Sequence, residues 1–387
     1  MPKRVLFHVQ YLLGIGHLQR SLRIAEALLD AGVAVTMAQG GPPVSEIVRA
    51  PGIDIVQLPP IRARDATFAL IDDAGAPVSD TLRDARRAAL LAAFARARPD
   101  AVVVEGFPFA RRAFRFELDP LIAAARDAGA PVICSVRDIP TVRPDPARLA
   151  EIVVHVQRDF TAVLVHGDAD FIPFDAAFPA APQIADRLHY TGYVTASLGG
   201  PRASLPATAE AAAGSEGEVL VSVGGGGAGG RALLAAALAA RRAGCLAERP
   251  WRILAGTSLP DAELAAVREA APPGVTIERF RTDFPTLLAR CHVSVSQSGY
   301  NTVLDLLAAR ARAVLVPFSA ERETEQQIRA EHLAARGAAV LLRENELSAA
   351  TLGAAIERAA RCAPRPIALA TDGARRSAAL IAGLSTK

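Results

Sequence analysis

Residues 294–342 constrain the fold more tightly than any other stretch of the chain. The short run Ser294-Val295-Ser296 leads into the small-residue turn Gln297-Ser298-Gly299, and Val303, Leu304 and Leu307 then recur at helical spacing. A buried run over Ala313–Val316 follows, and a polar loop opens another helix at Glu325-Gln326. Strand, turn, helix, strand and helix in that order build a parallel sheet with helices on its faces, and such sheets hold ligands at their strand ends. Ser298 and Gly299 open a helix, where unpaired amides and the helix dipole favour an anion such as a diphosphate. Asp305 lies further along the same helix.

The rhythm recurs on both sides of a break. Arg4–Val9 reads as a strand, and Gly14-Ile15-Gly16 turns it into a helix whose Leu18, Leu22, Ala25, Leu28 and Leu29 share one face. Gly32 ends that helix, and strands are expected at Val33–Ala38, Ala101–Val104 and Val132–Ser135, with a helix over Leu121–Ala128. A second series runs through Glu218–Val223, the glycine run 224–230, Trp251–Ala255, Val275–Ile277 and His292–Ser296. Between the two, residues 195–217 dissolve into Gly, Pro, Ala and Ser, the composition of a linker. The expectation is an α/β chain of two doubly wound, Rossmann-like domains facing a central cleft. The first spans 1–200, a linker 201–217, and the second 218–365. A C-terminal helix over 366–387 is expected to pack back on the first domain.

Composition narrows the function. With 387 residues, 51% hydrophobic and 21% charged, the chain is long enough for two cores. A net charge of +3 argues against a dedicated nucleic-acid binder, which would need a concentrated basic face. Cys134, Cys245, Cys291 and Cys362 are scattered without a paired spacing, which fits a reducing cytoplasm and argues against a disulfide framework or zinc site. No secretory signal and no transmembrane segment are read, so peripheral membrane contact is the kind left open. No His/Asp/Glu grouping has metal-ligand spacing.

His17 stands at the mouth of the first strand–helix turn, with an imidazole suited to proton transfer near neutrality. The plainer role is capping the helix or touching a phosphate. Glu105 and Asp138 end strands and can orient His17 or bind a substrate; loop capping is the alternative. Gly224, Gly226 and Gly229 satisfy G-x-G-x-x-G, yet the next strand ends in Gly256 where a nicotinamide ribose would need an acid, which argues against a dehydrogenase. Gly225 and Gly226 are better read as cradling a diphosphate, or else as a surface turn. Phe280 can stack on a base or fill the core. The run Phe107–Phe116 mixes aromatic and basic residues, and reads as a half-buried helix with solvated arginines in preference to a membrane or acceptor patch.

The stretch 278–342 resembles the donor-binding half of family 28 glycosyltransferases, the group containing the peptidoglycan N-acetylglucosaminyltransferase, and the turn Gly14-Ile15-Gly16-His17 resembles theirs too. The resemblance implies a GT-B type fold and an inverting, metal-independent sugar transfer. No cofactor is needed beyond a nucleoside-diphosphate sugar, UDP-linked, as co-substrate. It implies His17 as base, Phe280 and Arg281 at the nucleotide base, Ser298 and Gly299 at the phosphates, Asp305 on the ribose, and Glu325 with Gln326 on the sugar. The acceptor would be a small molecule or lipid-linked. Two departures matter. The family's Gln-Gln-x-x-Asn pattern is altered here around Glu325, Gln326 and Arg329, which leaves the donor sugar open. The turn Gly-Ile-Gly-His-Leu-Gln-Arg is also similar to that of nucleotide-sugar hydrolases, in which water is the acceptor. A hydrolase and a non-catalytic sugar-nucleotide binder therefore stand as alternatives to transfer.

Overall fold

The computed structural model describes residues 2–12, 15–44, 50–64, 68–140, 142, 145–195, 217–224, 228–256, 259–318 and 324–385. Gly14, Gly225, Gly226 and the expected linker up to residue 216 lie outside them. The chain forms two compact units, one of residues 1–195 with 369–387, the other of residues 196–368.

In the first unit, β1 (Arg4–Val9), β2 (Ala34–Gln39) and β3 (Ile53–Gln57) are followed by a small hairpin of β4 (Arg62–Ala63) and β5 (Leu70–Ile71). The main sheet continues with β6 (Ala101–Glu105), β7 (Val132–Arg137), β8 (Ala162–His166) and β9 (Leu188–Tyr190). Its order is β3-β2-β1-β6-β7-β8-β9, parallel throughout, with His8 beside Ala38 on one side and Val104 on the other. The strands are Val- and Ile-rich because both faces are covered, so alternation serves two cores instead of one core and water. Leu6, Val102 and Val104 point into one core; Val5, Phe7, Val9 and Val103 point into the other. Helices α1 (Gly16–Asp30), α2 (Asp80–Ala97), α3 (Arg115–Asp127) and α4 (Pro146–Asp159) cover the faces. Ser79 caps α2 by accepting from Leu82 N, and Asp145 caps α4 with Pro146 at its first position.

One buried cation ties the loops at the strand ends together. The Arg86 guanidinium donates to both oxygens of Glu117 at 2.7 Å, to Gly40 O at 2.9 Å, to Pro59 O at 2.6 Å and to Gln10 Oε1 at 2.9 Å. Burial opposes ionisation of Glu117, but His8 and Arg86 hold its carboxyl below the usual range. All five guanidinium N–H groups are used, so the chain leaving β1, the loop after β2 and helix α3 share one anchor.

The second unit repeats the plan with β10 (Val219–Ser222), β11 (Trp251–Leu254), β12 (Val275–Glu278), β13 (Val293–Ser296), β14 (Ala313–Leu315) and β15 (Val340–Leu341). Its order is β12-β11-β10-β13-β14-β15, again parallel. Helices α5 (Ala228–Arg242), α6 (Asp261–Glu269), α7 (Phe284–Arg290), α8 (Tyr300–Ala309), α9 (Glu325–Ala335) and α10 (Ala349–Arg361) complete it. Trp251, Ile253 and Val295 form its core with Leu352 and Ile356 of α10, whose start is a capping box between Ser348 and Thr351.

The last helix, α11 (Gly373–Leu384), belongs to the first unit. Its Ala378 and Ile381 join the core that holds Leu18 and Leu22 of α1. Tyr193 N donates to Ala370 O at 2.7 Å and Gly373 N to Tyr193 O at 3.2 Å, so the segment is stitched to the end of the sheet. A Cβ at Gly373 would stand 2.3 Å from Gly192 O, which is why this helix begins with glycine.

Candidate active site

In a doubly wound sheet the ligand side is the carboxyl end of the strands where the chain order reverses. In the first unit that point lies between β1 and β6, and the sequence places His17 at the head of α1 and Glu105 as the last residue of β6. Gly106, at φ +80°, turns the chain sharply away after Glu105. His17 Nδ1 meets Glu105 Oε1 at 2.5 Å, and Arg20, one helical turn on, donates to the same oxygen at 2.6 Å. Arg111 faces the other oxygen at 3.6 Å. Glu105 is buried, while the His17 side chain is 26% exposed.

The field fixes the protonation states. Burial lowers the His17 pKa to about 4, with Glu105 pulling it up and Arg111 and Arg20 pushing it down. Burial opposes ionisation of Glu105 as well, but His17, Arg111 and Arg20 together hold its carboxyl far below the usual range. At neutral pH the pair is therefore a carboxylate accepting Nδ1–H from a neutral imidazole, which leaves the Nε2 lone pair to take a proton. This is the arrangement of a base with its orienting acid.

Asp138 stands elsewhere. Its oxygens are met by Ile139 N at 2.9 Å and the Tyr193 hydroxyl at 3.1 Å, and it is buried at the end of β7, so Glu105 is the carboxylate that orients His17. In the run Phe107–Phe116 the aromatic residues Phe107, Phe109 and Phe114 are buried, Phe109 edge-on to Phe174 and Phe178, while Arg112 and Ala113 are exposed. The expected half-buried helix is not formed: the run is a turn up to Arg111, a single 3-10 turn over Arg112–Phe114 and only then the start of α3, because Gly106 and Arg111 both take left-handed backbone. Packing of its aromatic residues is borne out, while the Arg111 side chain turns inward to Glu105. Gly16 is the first residue of α1, whose first turn carries no acid and no side-chain cap.

In the second unit the order reverses between β10 and β13. Helix α8 starts there behind Gly299 with no side-chain cap and no acidic residue in its first turn, leaving amides able to receive an anion. The Ser298 hydroxyl is buried and donates to Gln326 O at 2.7 Å, so Ser298 clips α9 to the turn and the anion-facing groups at this turn are backbone amides. Glu325 is buried and accepts from Arg329 at 2.9 Å; Arg329 also donates to Ser298 O at 3.0 Å and lies over the Tyr300 ring. That residue pair braces the turn from within α9. The Gln326 side chain accepts from Phe318 N at 3.1 Å. Asp305 is half-buried on α8. Phe280 is 64% exposed beyond the end of β12, which removes core packing as its role. Arg281 is held beside it by both oxygens of Asp283, at 2.8 and 2.7 Å.

His17, Glu105 and the α8 turn stand out in the sequence, whereas Arg20 and Arg111 do not. The spacing of Arg20, three residues after His17 on one helix, was the available signal. Arg111 had none, because its inward turn depends on a left-handed backbone at φ +61°. Among the described residues no group of His, Cys, Asp or Glu could hold a metal, and no helix is long and apolar enough to cross a membrane.

Known proteins share this geometry's framework. The family model described as glycosyltransferase family 28 C-terminal domain matches residues 220–382. A UDP-N-acetylglucosamine–N-acetylmuramyl-(pentapeptide) pyrophosphoryl-undecaprenol N-acetylglucosamine transferase of Xanthomonas euvesicatoria pv. vesicatoria is 35% identical over 150 residues, 39% of this chain and 35% of the relative. Its counterpart from Rhodospirillum centenum is 32% identical over 117 residues, 28% of this chain and 31% of the relative. The chain thus matches about a third of the length of these curated relatives. Among solved structures, MurG of Acinetobacter baumannii aligns with TM-score 0.60 and 18% identity over 99% of both chains. The calicheamicin glycosyltransferase CalG4 aligns with TM-score 0.61 and 20% identity over 100% of this chain and 96% of that one. At such identities the likeness concerns the fold, which is that of GT-B glycosyltransferases.

Proposed function

We propose that this chain, a family 28-like glycosyltransferase by its second unit and GT-B type fold, moves a sugar with inversion from a nucleoside-diphosphate sugar to an acceptor hydroxyl, without a catalytic metal. The observation that carries the reading is the His17–Glu105 pair: a neutral imidazole, oriented through Nδ1 by a buried carboxylate, at the strand end where such sheets bind ligands. The acceptor O–H gives its proton to His17 Nε2 as its oxygen attacks the anomeric carbon. The bond from that carbon to the diphosphate breaks on the opposite face, and the diphosphate leaves with the electron pair. Imidazolium forming beside Glu105 is stabilised by the adjacent negative charge.

In this reading the second unit holds the donor, with UDP as the preferred nucleotide. The amides at Gly299 and the loop of Gly225 and Gly226 take the diphosphate, Phe280 stacks on the base beside Arg281, and Asp305 accepts from the ribose hydroxyls. Gln326 contributes to the sugar site, while Glu325 acts through Arg329 to hold the Ser298–Gly299 turn. The acceptor is a small molecule or a lipid-linked one, approached from a cytoplasmic, membrane-peripheral position. The Gly16-His17 turn favours a second reading, since it equally resembles that of nucleotide-sugar hydrolases, in which water replaces the acceptor.

Calorimetric titration with UDP-, dTDP- and GDP-sugars tests the donor assignment. One nucleotide class is expected to bind, and Asp305→Ala is expected to weaken it by about tenfold or more, the worth of a charge-assisted hydrogen bond. Unchanged affinity in the variant removes Asp305 from the ribose site.

A further inference from the structure

Glu105 stands between two guanidinium groups that use it unequally. Its Oε1 accepts from His17 Nδ1 at 2.5 Å and from Arg20 at 2.6 Å, so one oxygen takes both partners from α1. Its Oε2 is buried with no hydrogen-bond partner among the described residues, and it lies 3.6 Å from Arg111, longer than a hydrogen bond. Arg111 has a donor to spare, since its Nε is buried and makes no hydrogen bond among the described residues. The two cations arrive on different segments: Arg20 one helical turn after His17, Arg111 from the left-handed position ahead of the 3-10 turn over Arg112–Phe114. Arg20 is buried and the Arg111 side chain is 10% exposed, so water screens neither pull strongly. A movement of roughly 0.7 Å toward Arg111 would bring the longer contact to hydrogen-bond length.

We infer that Arg20 is a positioning residue: it holds Glu105 against the competing pull of Arg111 and so keeps the carboxylate on His17 Nδ1. The inference rests on the reading of His17 as the base, because a base acting through Nε2 needs its proton on Nδ1. A neutral imidazole has the weakest of the three claims on this carboxylate, since its two rivals are cations. Arg20 removes the conflict by donating to the very oxygen that His17 uses. Arg111 does not, because it faces the other oxygen. Without Arg20, the charge-assisted bond to Arg111 is the strongest one open to Glu105, and the carboxylate leaves His17. Nδ1–H then has no acceptor, and the Nε2–H tautomer takes over, with no lone pair at Nε2 for an incoming proton. The three-residue spacing of His17 and Arg20 on one helix is what lets both reach a single oxygen.

The His17 tautomer reads this directly and needs no turnover. The full chain, carrying isotope-labelled histidine, is studied at neutral pH by long-range proton–nitrogen correlation, the His17 signals being those absent from His17→Ala. Wild type is expected to show Nδ1 protonated and Nε2 bare. R20M keeps an apolar stem and loses the charge, and the Nδ1–H form should be lost from most of its molecules. R111Q should keep that form, and the double variant R20M/R111Q should regain it, because the competing cation is gone. R20K keeps the charge without the fork and is expected to fall between wild type and R20M. Thermal melting shows which variants are folded at the temperature of measurement; should R20M not be, R20K and R20K/R111Q carry the same comparison. A wild-type tautomer in the folded Arg20 variant overturns the inference. So does a loss that R111Q fails to reverse, which is the result if Arg20 only packs α1 on the sheet. A wild type without Nδ1–H removes the base assignment itself, so that failure and a failure of Arg20 alone are separate results.

Discussion

A histidine held near pKa 4 is always available as a base at pH 7 but is a weak one, and its partner decides whether it is useful. Glu105 raises the His17 pKa against the combined push of burial, Arg111 and Arg20. Replacing Glu105 by Gln removes that support, so the imidazole becomes still less basic and its ring loses the carboxylate that selects the tautomer. Turnover is expected to fall on the order of a hundredfold, with donor affinity retained. The sign of the pH effect follows: His17 acts when neutral, so rate is lost as pH falls through about 4, and in Glu105→Gln that acid limb moves to lower pH. A limb that stays put or moves upward contradicts the assignment of Glu105 as a positioning residue. Asp138 is predicted to have no such effect through His17, because His17 Nδ1 is taken by Glu105 while Asp138 accepts from Ile139 N and the Tyr193 hydroxyl.

In the proposed reaction two helix starts take part, and both lack side-chain caps. Both α1 and α8 open without an acid in the first turn, which leaves amides to an incoming anion. The α8 turn is held from behind by the Ser298 hydroxyl, which donates to Gln326 O, and by Arg329, which donates to Ser298 O. A third helix, α11, has a mechanical role. It closes one core of the first unit from the far end of the chain, and its first residue touches backbone carbonyl oxygens. Gly373→Ala would push a methyl against Gly192 O and is expected to cost about 1–3 kcal/mol, as overpacking does. Thermal unfolding checks this, and a melting temperature equal to wild type would mean that the helix start shifts freely.

Across the whole molecule, the α/β order was legible because strand and helix periods are local, and runs such as Ala101–Val104 and Val132–Cys134 are too apolar to be anything but covered strands. His17, Glu105 and Gly299 were legible too, since a position at the end of a strand or the start of a helix follows from the same pattern. The ion network was not. The Arg111 contact with Glu105 needs a left-handed residue after a glycine turn, and Arg86 finds Glu117 and the loop carbonyls across long sequence separations. Nor does an exposed Phe280 differ in sequence from a buried Phe107. Turnover is the most direct test of sugar transfer by His17. Wild type and His17→Ala are incubated with the nucleotide sugar that binds, with and without an acceptor panel, and free nucleotide, free sugar and glycosylated product are followed. Nucleotide release that requires an acceptor, matches product formed and drops by about a hundredfold or more in His17→Ala, with nucleotide binding unchanged, is the result predicted. Wild-type turnover in His17→Ala, or equal release of nucleotide and free sugar with no acceptor present, would contradict it.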